Sequence, residues 1–232
     1  MSNLKLDSNK LIATADQLVL RIRERFPDSG LSRVADDLAQ VARNARRISW
    51  SLGRPNYFSR ILGIITAVAI FAAAGYAVYA LKAPLKINSA AELAQGLESL
   101  INIVVFGSIA IYFVFSRENR RKRSKALKLM ASLRSLAHVI DMHQLAKDPD
   151  RLGSSLPQTE HSPPKMQLTP DLLTRYLDYC SELLAILSKL AALQVQRFDD
   201  PVTLEAVNDL EDLTSGLSRK IWQKIMIIGK LH

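Results

Sequence analysis

The sequence predicts an all-α protein, in which a two-span transmembrane helical hairpin joins an N-terminal helix pair to a C-terminal cytoplasmic helical bundle. Residues 61–81 contain no charge over 21 consecutive positions, and such a helix spans a hydrocarbon core of about 30 Å. A second apolar stretch follows at residues 96–115. Elsewhere apolar residues recur at three- and four-residue steps, without an alternating strand pattern of useful length. These observations favour helices throughout.

Residues 1–56 are predicted to form the N-terminal cytoplasmic helices. Apolar residues have helical spacing over residues 9–26, and the following Pro-Asp-Ser-Gly sequence is typical of a turn. Ser32 is expected to cap a second helix, because its hydroxyl can accept from a free N–H group. The apolar stripe of that helix covers residues 34–48, and a Gly-Arg-Pro sequence ends it.

The membrane hairpin is predicted to consist of a first transmembrane helix at residues 57–82, a short extracytoplasmic loop at 83–95 and a second transmembrane helix at 96–116. Glu98 near the start of the second apolar stretch shortens its uncharged run, which leaves a re-entrant or interfacial helix as an alternative. A Ser-Ala-Ala-Glu sequence has the spacing of a capping box. The second helix is therefore expected to begin near Ala90.

The net charge of +9 is concentrated in two short segments next to these stretches. Residues 38–60 carry five arginines and no acid, and residues 117–128 carry seven basic residues and one acid. Basic segments stay on the cytoplasmic side of a membrane, so two crossings with both termini cytoplasmic are expected, most simply in a bacterial inner membrane. The residues assigned to topology and lipid headgroup contact are Arg43, Arg46, Arg47, Arg54, Arg60, Arg117, Arg120, Arg121, Lys122, Arg123 and Lys125.

The basic segments are not interpreted as a nucleic-acid site. No aromatic residue is interleaved with the basic residues of 117–128. Contact with anionic lipid headgroups explains the position of these charges next to the second span. We therefore expect the lipid bilayer as a partner and no nucleic acid.

Residues 117–232 are predicted to form the C-terminal cytoplasmic helical domain. The helical pattern continues from the second span to Leu145, and a flexible loop is expected near residues 150–168, which are rich in Pro and Ser. Two further helices are expected to begin at Thr169-Pro170 and at Asp-Asp-Pro201, since both combine a capping side chain with proline at the first turn. Three such helices can form an antiparallel bundle.

Few residues suggest a catalytic or metal-binding site. His138 and Asp141 lie three positions apart on one helix, but His143 lies about 140° around it from His138, so one helix cannot direct all three at a metal. Cys180 lies on an apolar stripe, as a small core residue does. We expect no cofactor, no metal site and no enzymatic activity. An enzyme that uses His138 and Asp141 is retained as a third hypothesis.

The expected function is that of a membrane-anchored helical scaffold or partner-binding module, which self-associates or binds a protein partner through its cytoplasmic helices. Small residues in the first span allow close helix packing, and a polar side chain in the second can bond across an interface. These span-packing residues are Gly63, Ala69, Ala73, Ala77 and Asn102. The alternative is an oligomeric channel or a pore-forming membrane effector.

Overall fold

The computed structural model describes residues 5–54, 57–82, 90–149, 152, 160–161 and 168–230. Of these residues 89% are helical and none forms a strand, which confirms the all-α class. The described helices are α1 (Ser8–Arg25), α2 (Gly30–Gly53), α3 (Tyr57–Lys82), α4 (Ala90–Leu145), α5 (Pro170–Val195) and α6 (Pro201–Lys230).

The chain divides into two compact units. Unit 1 consists of Met1–Gly53 and Lys125–His232, and unit 2 consists of Arg54–Ser124. Unit 2 therefore contains α3 and the first part of α4, whereas the last part of α4 belongs to unit 1 with α1, α2, α5 and α6.

Helix α5 lies at the centre of unit 1, since α1, α2 and α6 all pack against it. Its fully buried side chains include Leu177 and Leu184. Phe26, which follows α1, meets the ring of Tyr176 edge to face at a centroid distance of 5.3 Å. The N-terminal helix pair and the C-terminal helices thus share one hydrophobic core.

The last part of α4 contributes buried side chains to this core. Leu133 and Ile140 are fully buried within it. Arg134 Nη2 of α4 lies 3.2 Å from Asp209 Oδ2 of α6, a surface ion pair that contributes little stability by itself. Burial of the apolar stripe is therefore what holds this part of α4 in unit 1.

The turn between α1 and α2 corrects one prediction. The predicted Pro-Asp-Ser-Gly turn is present, with Asp28 in the left-handed region at φ 54°, which aspartate tolerates better than most residues. However, α2 begins at Gly30, two residues before the predicted cap. Ser29 Oγ accepts from Ser32 N at 3.1 Å, so Ser29 has the capping role that was wrongly assigned to Ser32.

The predicted starts of the two C-terminal helices are confirmed. Thr169 Oγ1 accepts from Leu172 N at 3.3 Å, with Pro170 in the first turn of α5. Asp200 Oδ2 accepts from Thr203 N at 3.0 Å and from the Thr203 hydroxyl at 2.9 Å, immediately before Pro201 begins α6. Each cap satisfies N–H groups that the first helical turn leaves unpaired.

The continuity predicted beyond the second apolar stretch is also confirmed. Helix α4 runs without interruption over 56 residues, and it begins at the expected Ala90. The Ser of the predicted capping box and residues 83–89 of the predicted extracytoplasmic loop lie outside the described residues. Most of the loop expected near residues 150–168 lies outside them as well.

Candidate functional site

Large apolar side chains are exposed on both helices of unit 2. Phe71 of α3 is 78% exposed, and Phe106 of α4 is 69% exposed. Further exposed residues of this kind are Ile61, Leu62, Ile64, Ile65, Val68, Tyr76 and Tyr79 on α3, and Leu97, Ile101, Val104, Val105, Ile109, Tyr112 and Phe113 on α4. Exposed apolar surface of this extent is unfavourable in water, and it marks contact with a membrane or with another protein.

The described residues contain one helix that is long and apolar enough to cross a membrane. This segment is Ala94–Leu145, and only 7% of its most apolar 18-residue stretch is buried. Burial this low distinguishes it from the core helix of a soluble protein. Ile61–Tyr76 of α3 is a shorter apolar segment. One helix of the described residues is therefore long and apolar enough to cross a membrane, and the second span of the predicted hairpin is a proposal.

A close contact joins α3 to α4 at Gly107. A Cβ atom at this position would lie 2.6 Å from Ile70 Cδ1 and 2.8 Å from its Cγ1. Glycine lets the α4 backbone come this near to Ile70 without displacing its side chain. Small residues have the same effect at the interfaces of membrane helix pairs. Sequence reasoning missed Gly107, although a glycine inside an apolar stretch is the signal that could have found it.

The residues predicted to pack the spans occupy different environments. Gly63 is buried, whereas Ala69, Ala73 and Asn102 are exposed, and the side chain of Ala77 lies outside the described side chains. The exposed members are available to a bilayer or to a second molecule. Their role in span packing stays a prediction.

Arg43 and Arg46, two of the five arginines within residues 38–60, contact α1. Arg43 Nη1 lies 3.0 Å from Asp16 Oδ1, and Arg46 Nη1 donates to Asn9 Oδ1 at 3.0 Å. Both contacts connect α2 with α1. Arg47 and Arg54 have exposed side chains, and the side chain of Arg60 lies outside the described side chains.

The basic segment after the apolar part of α4 presents most of its charge on the surface. Lys122 Nζ lies 2.9 Å from Glu118 Oε1, one turn earlier on the helix. Arg123 is partly exposed. Arg117, Arg120, Arg121 and Lys125 are exposed. A cluster of exposed cations thus follows directly after the apolar stretch of α4. Cations at this position next to a membrane span can contact lipid headgroups.

A second group of cations, which sequence reasoning missed, lies beside Trp50 and Gly53 at the end of α2. Arg197, in the turn between α5 and α6, places Cζ 5.0 Å from the centre of the Trp50 ring of α2. Lys5 and Arg197 line a surface cavity of about 380 Å³ together with Leu6, Gly53 and Gln196. Because these residues are far apart in sequence, only the fold brings them together.

His138 and Asp141 do not form a pair. His138 is exposed, and Asp141 Oδ1 instead accepts from Gln144 Nε2 at 2.6 Å. The ring of His143 lies directly against Gly30 at the start of α2. Burial, followed by the charges of Arg33 and Lys147, lowers the pKa of His143 below 6.5. Within the described residues no group of three or more His, Cys, Asp or Glu side chains could hold a metal.

Cys180 is buried, and the partly buried Lys224 lies close enough for its charge to act on the thiol. Burial raises the pKa of the Cys180 thiol to about 12, so the thiolate that nucleophilic chemistry requires is scarce at neutral pH. Lys224 Nζ donates to Gln144 O at 2.8 Å, which satisfies a carbonyl at the end of α4. Burial lowers the pKa of Lys224, and the charges of Asp148 and Asp141 oppose this effect. These contacts are structural ones that join α4 to α6.

The chain has no significant match to a family model, a curated protein or a solved structure. Its function has to be inferred from its residues and their geometry.

Proposed function

We propose that this protein is a membrane-anchored helical module, in which α3 and the first part of α4 cross the bilayer as a two-span hairpin. The observation that carries the proposal is the dense set of large apolar side chains exposed on both helices of unit 2. A bilayer covers such a surface without any further protein partner. The proposal assigns no catalytic activity to the chain.

The length of both helices supports two crossings. Helix α3 has 26 residues, which corresponds to about 39 Å of helix, more than the hydrocarbon core of about 30 Å. Ile61–Tyr76 alone corresponds to about 24 Å, but the sequence remains uncharged to Leu81. The apolar part of α4 has comparable length, and the Gly107–Ile70 contact joins the two helices.

The charge distribution supports the sidedness of this anchor. Four arginines precede α3 and a fifth, Arg60, lies in its first turn, and seven basic residues lie within residues 117–128 of α4. Basic flanks stay on the cytoplasmic side, so a hairpin places both ends of the chain there, with a bacterial inner membrane as the simplest host. The helical core of unit 1 is then cytoplasmic.

The helices of unit 1 support a role in binding a partner or a second copy. Trp222 and Met226 lie one turn apart on α6 and are 59% and 58% exposed. Met142 of α4 is 69% exposed. Exposed Trp and Met side chains are enriched at protein interfaces. Within the bilayer, the exposed Ala69 and Ala73 allow the close helix packing that self-association requires.

An oligomeric channel or pore-forming effector is the second candidate. Asn102 and Tyr112 are exposed polar side chains on α4, and they would line the interior if several copies assembled around one axis. No charged side chain accompanies them between Leu100 and Phe115, whereas many ion pathways contain one. This observation favours the anchor over the channel.

The topology is tested by cysteine labelling in a Cys180→Ala background with a membrane-impermeant maleimide. We expect Lys86→Cys to react in intact cells, and Glu24→Cys of α1 and Ser215→Cys of α6 to react only after lysis. Glu24 and Ser215 are both exposed, so the protein surface does not block the reagent. Labelling of these two positions on opposite sides of the membrane would mean one crossing and would contradict the hairpin.

Two further measurements separate the anchor from the channel. The native mass of the complex in mild detergent reports the number of copies and any partner that co-purifies. Planar bilayers that contain the purified protein are expected to show no conductance at any applied voltage. Reproducible single-channel currents that disappear in Asn102→Leu would favour the channel instead.

A further inference from the structure

The second group of cations lies at the end of unit 1 that is covalently joined to both apolar helices. Gly53 is the last residue of unit 1 before unit 2, and Lys125 is the first residue after it. Leu52, Ala126 and Phe198 are buried together in a small cluster at this end. That cluster holds the α5–α6 turn against the chain segments that enter and leave unit 2.

Arg197 is held in a defined position within this turn. Its guanidinium group lies over the Trp50 ring at 5.0 Å, in cation–π geometry. A Cβ atom at Gly53 would lie 3.3 Å from Arg197 Cδ, so glycine leaves room for the aliphatic part of the arginine along the last turn of α2. Trp50 itself is 48% exposed. The pair therefore presents a fixed charge next to an exposed indole.

The surroundings of Arg197 are basic. Lys5 lines the same cavity of about 380 Å³, and its described lining contains no acidic residue. Two acids follow Arg197 in the chain. Asp199 is exposed outside that lining, and Asp200 accepts hydrogen bonds at the start of α6. Arg197 and Lys5 are therefore the charged side chains of the described cavity lining.

We propose that Arg197 and Lys5 bind the phosphate of an anionic phospholipid headgroup, beside the exposed ring of Trp50. The inference rests on the proposed function, because the proposed anchor is covalently joined to unit 1 at Gly53, three residues after Trp50, and at Lys125. Arginine binds phosphate in a bidentate manner, and tryptophan is enriched at the membrane–water interface. Neither Arg197 nor Lys5 belongs to the basic segments that flank α3 and α4.

The test uses the full chain purified in mild detergent and titrated with phosphatidylglycerol, with native mass spectrometry to measure bound lipid. We expect Arg197→Gln to weaken phosphatidylglycerol binding about fivefold, the effect of removing one basic residue near an anionic surface. Arg175→Gln is the matched control. This variant removes an exposed arginine near the start of α5, whereas Arg197 follows the end of that helix about 30 Å away. We expect it to bind the lipid as the wild-type chain does.

Two other ligands separate the sources of the phosphate group. Phosphatidylcholine, which has no net charge, is expected to bind more weakly than phosphatidylglycerol. Inorganic phosphate at millimolar concentration is expected not to displace the lipid. Displacement by inorganic phosphate would identify a site for a free anion and would overturn the lipid assignment, as would equal binding of the two lipids.

The remaining outcomes are equally decisive. If circular dichroism shows that Arg197→Gln does not fold, Lys5→Gln replaces it. We expect this variant also to bind phosphatidylglycerol more weakly, and it leaves the helices unchanged because Lys5 lies in the segment before α1. Wild-type binding in the folded variant would overturn the site and leave the membrane anchor intact. Recovery of the wild-type chain in the soluble fraction of cells would contradict the anchor itself, and the headgroup site with it.

Discussion

A disulfide between Ile70 and Gly107 tests the packing of the two apolar helices. The change is Ile70→Cys with Gly107→Cys in a Cys180→Ala background. A Cβ atom at Gly107 would lie 2.8 Å from Ile70 Cγ1 and 3.1 Å from Cγ2. Since each Cγ is about 1.5 Å from its own Cβ, the two Cβ atoms lie within about 4.3 Å, inside the range of disulfides.

The disulfide is expected to form within one chain and in high yield. It closes a loop of about 40 residues, for which chain entropy predicts a stabilisation of about 4 kcal/mol. The assay oxidises membrane vesicles with copper phenanthroline and then adds a maleimide of high mass under denaturing conditions. The maleimide adds mass at each free cysteine, so two mass shifts indicate the reduced protein. Loss of both shifts, without a band at twice the chain mass, indicates a disulfide within one chain.

The matched control pairs Gly75→Cys with Gly107→Cys. A Cβ atom at Gly75 meets no atom within 4 Å, and this position lies five residues after Ile70, about 140° around α3. The control pair is expected to retain both mass shifts. If the two pairs oxidise equally, or if the Ile70 pair stays reduced, α3 and α4 do not pack as the structure describes.

Three predictions concern unit 1, and each is measured by unfolding the purified chain in mild detergent. Lys224→Met should lower the free energy of unfolding by about 1–2 kcal/mol, because it removes a charged donor from Gln144 O. The control Lys220→Met changes an exposed lysine of the same helix and should alter the free energy of unfolding by less than about 0.5 kcal/mol. Equal losses in the two variants would contradict the role of Lys224. The pKa of His143 is lowered from 6.5 in the folded state, so the folded state binds fewer protons than the unfolded state and stability should fall as pH drops below 6.5. His143→Gln should therefore make the loss of stability with falling pH smaller. An unchanged dependence on pH in this variant would refute the role of His143. Gly216→Ala should stabilise α6 by up to about 1 kcal/mol, since a Cβ there meets no atom within 4 Å, and a loss would show that this glycine is required.

Helix type and helix ends were largely predictable, because they depend on neighbouring residues. Thr169 and Pro170 specify the start of α5 through one hydroxyl and one fixed φ angle. The same local reasoning failed at Ser32, since Ser29 lies three residues earlier and offers the same hydroxyl to the turn. The sequence offers two similar hydroxyl groups at this turn, and the structure shows that the one on Ser29 caps α2.

The candidate sites were predictable only where they follow one segment of chain. The apolar stretches and the basic residues beside them are contiguous, so periodicity and charge counting find them. Arg197 and Trp50 are separated in sequence by the whole of α3, α4 and α5. No local pattern marks either residue as part of a pair. Gly107 is an intermediate case, because its type suggests close packing but its partner Ile70 is set by the fold.

The sequence by itself determined the helical class, the positions of the apolar stretches and the two basic segments, because these properties arise from residues that are neighbours in the chain. Only the tertiary structure decided that α1 and α2 share a core with α5, that Asp141 bonds Gln144 and not His138, and that Arg197 reaches Trp50. The physical reason is that side-chain contacts between distant segments depend on how apolar stripes are buried against one another. That choice is made by the packing of the whole core.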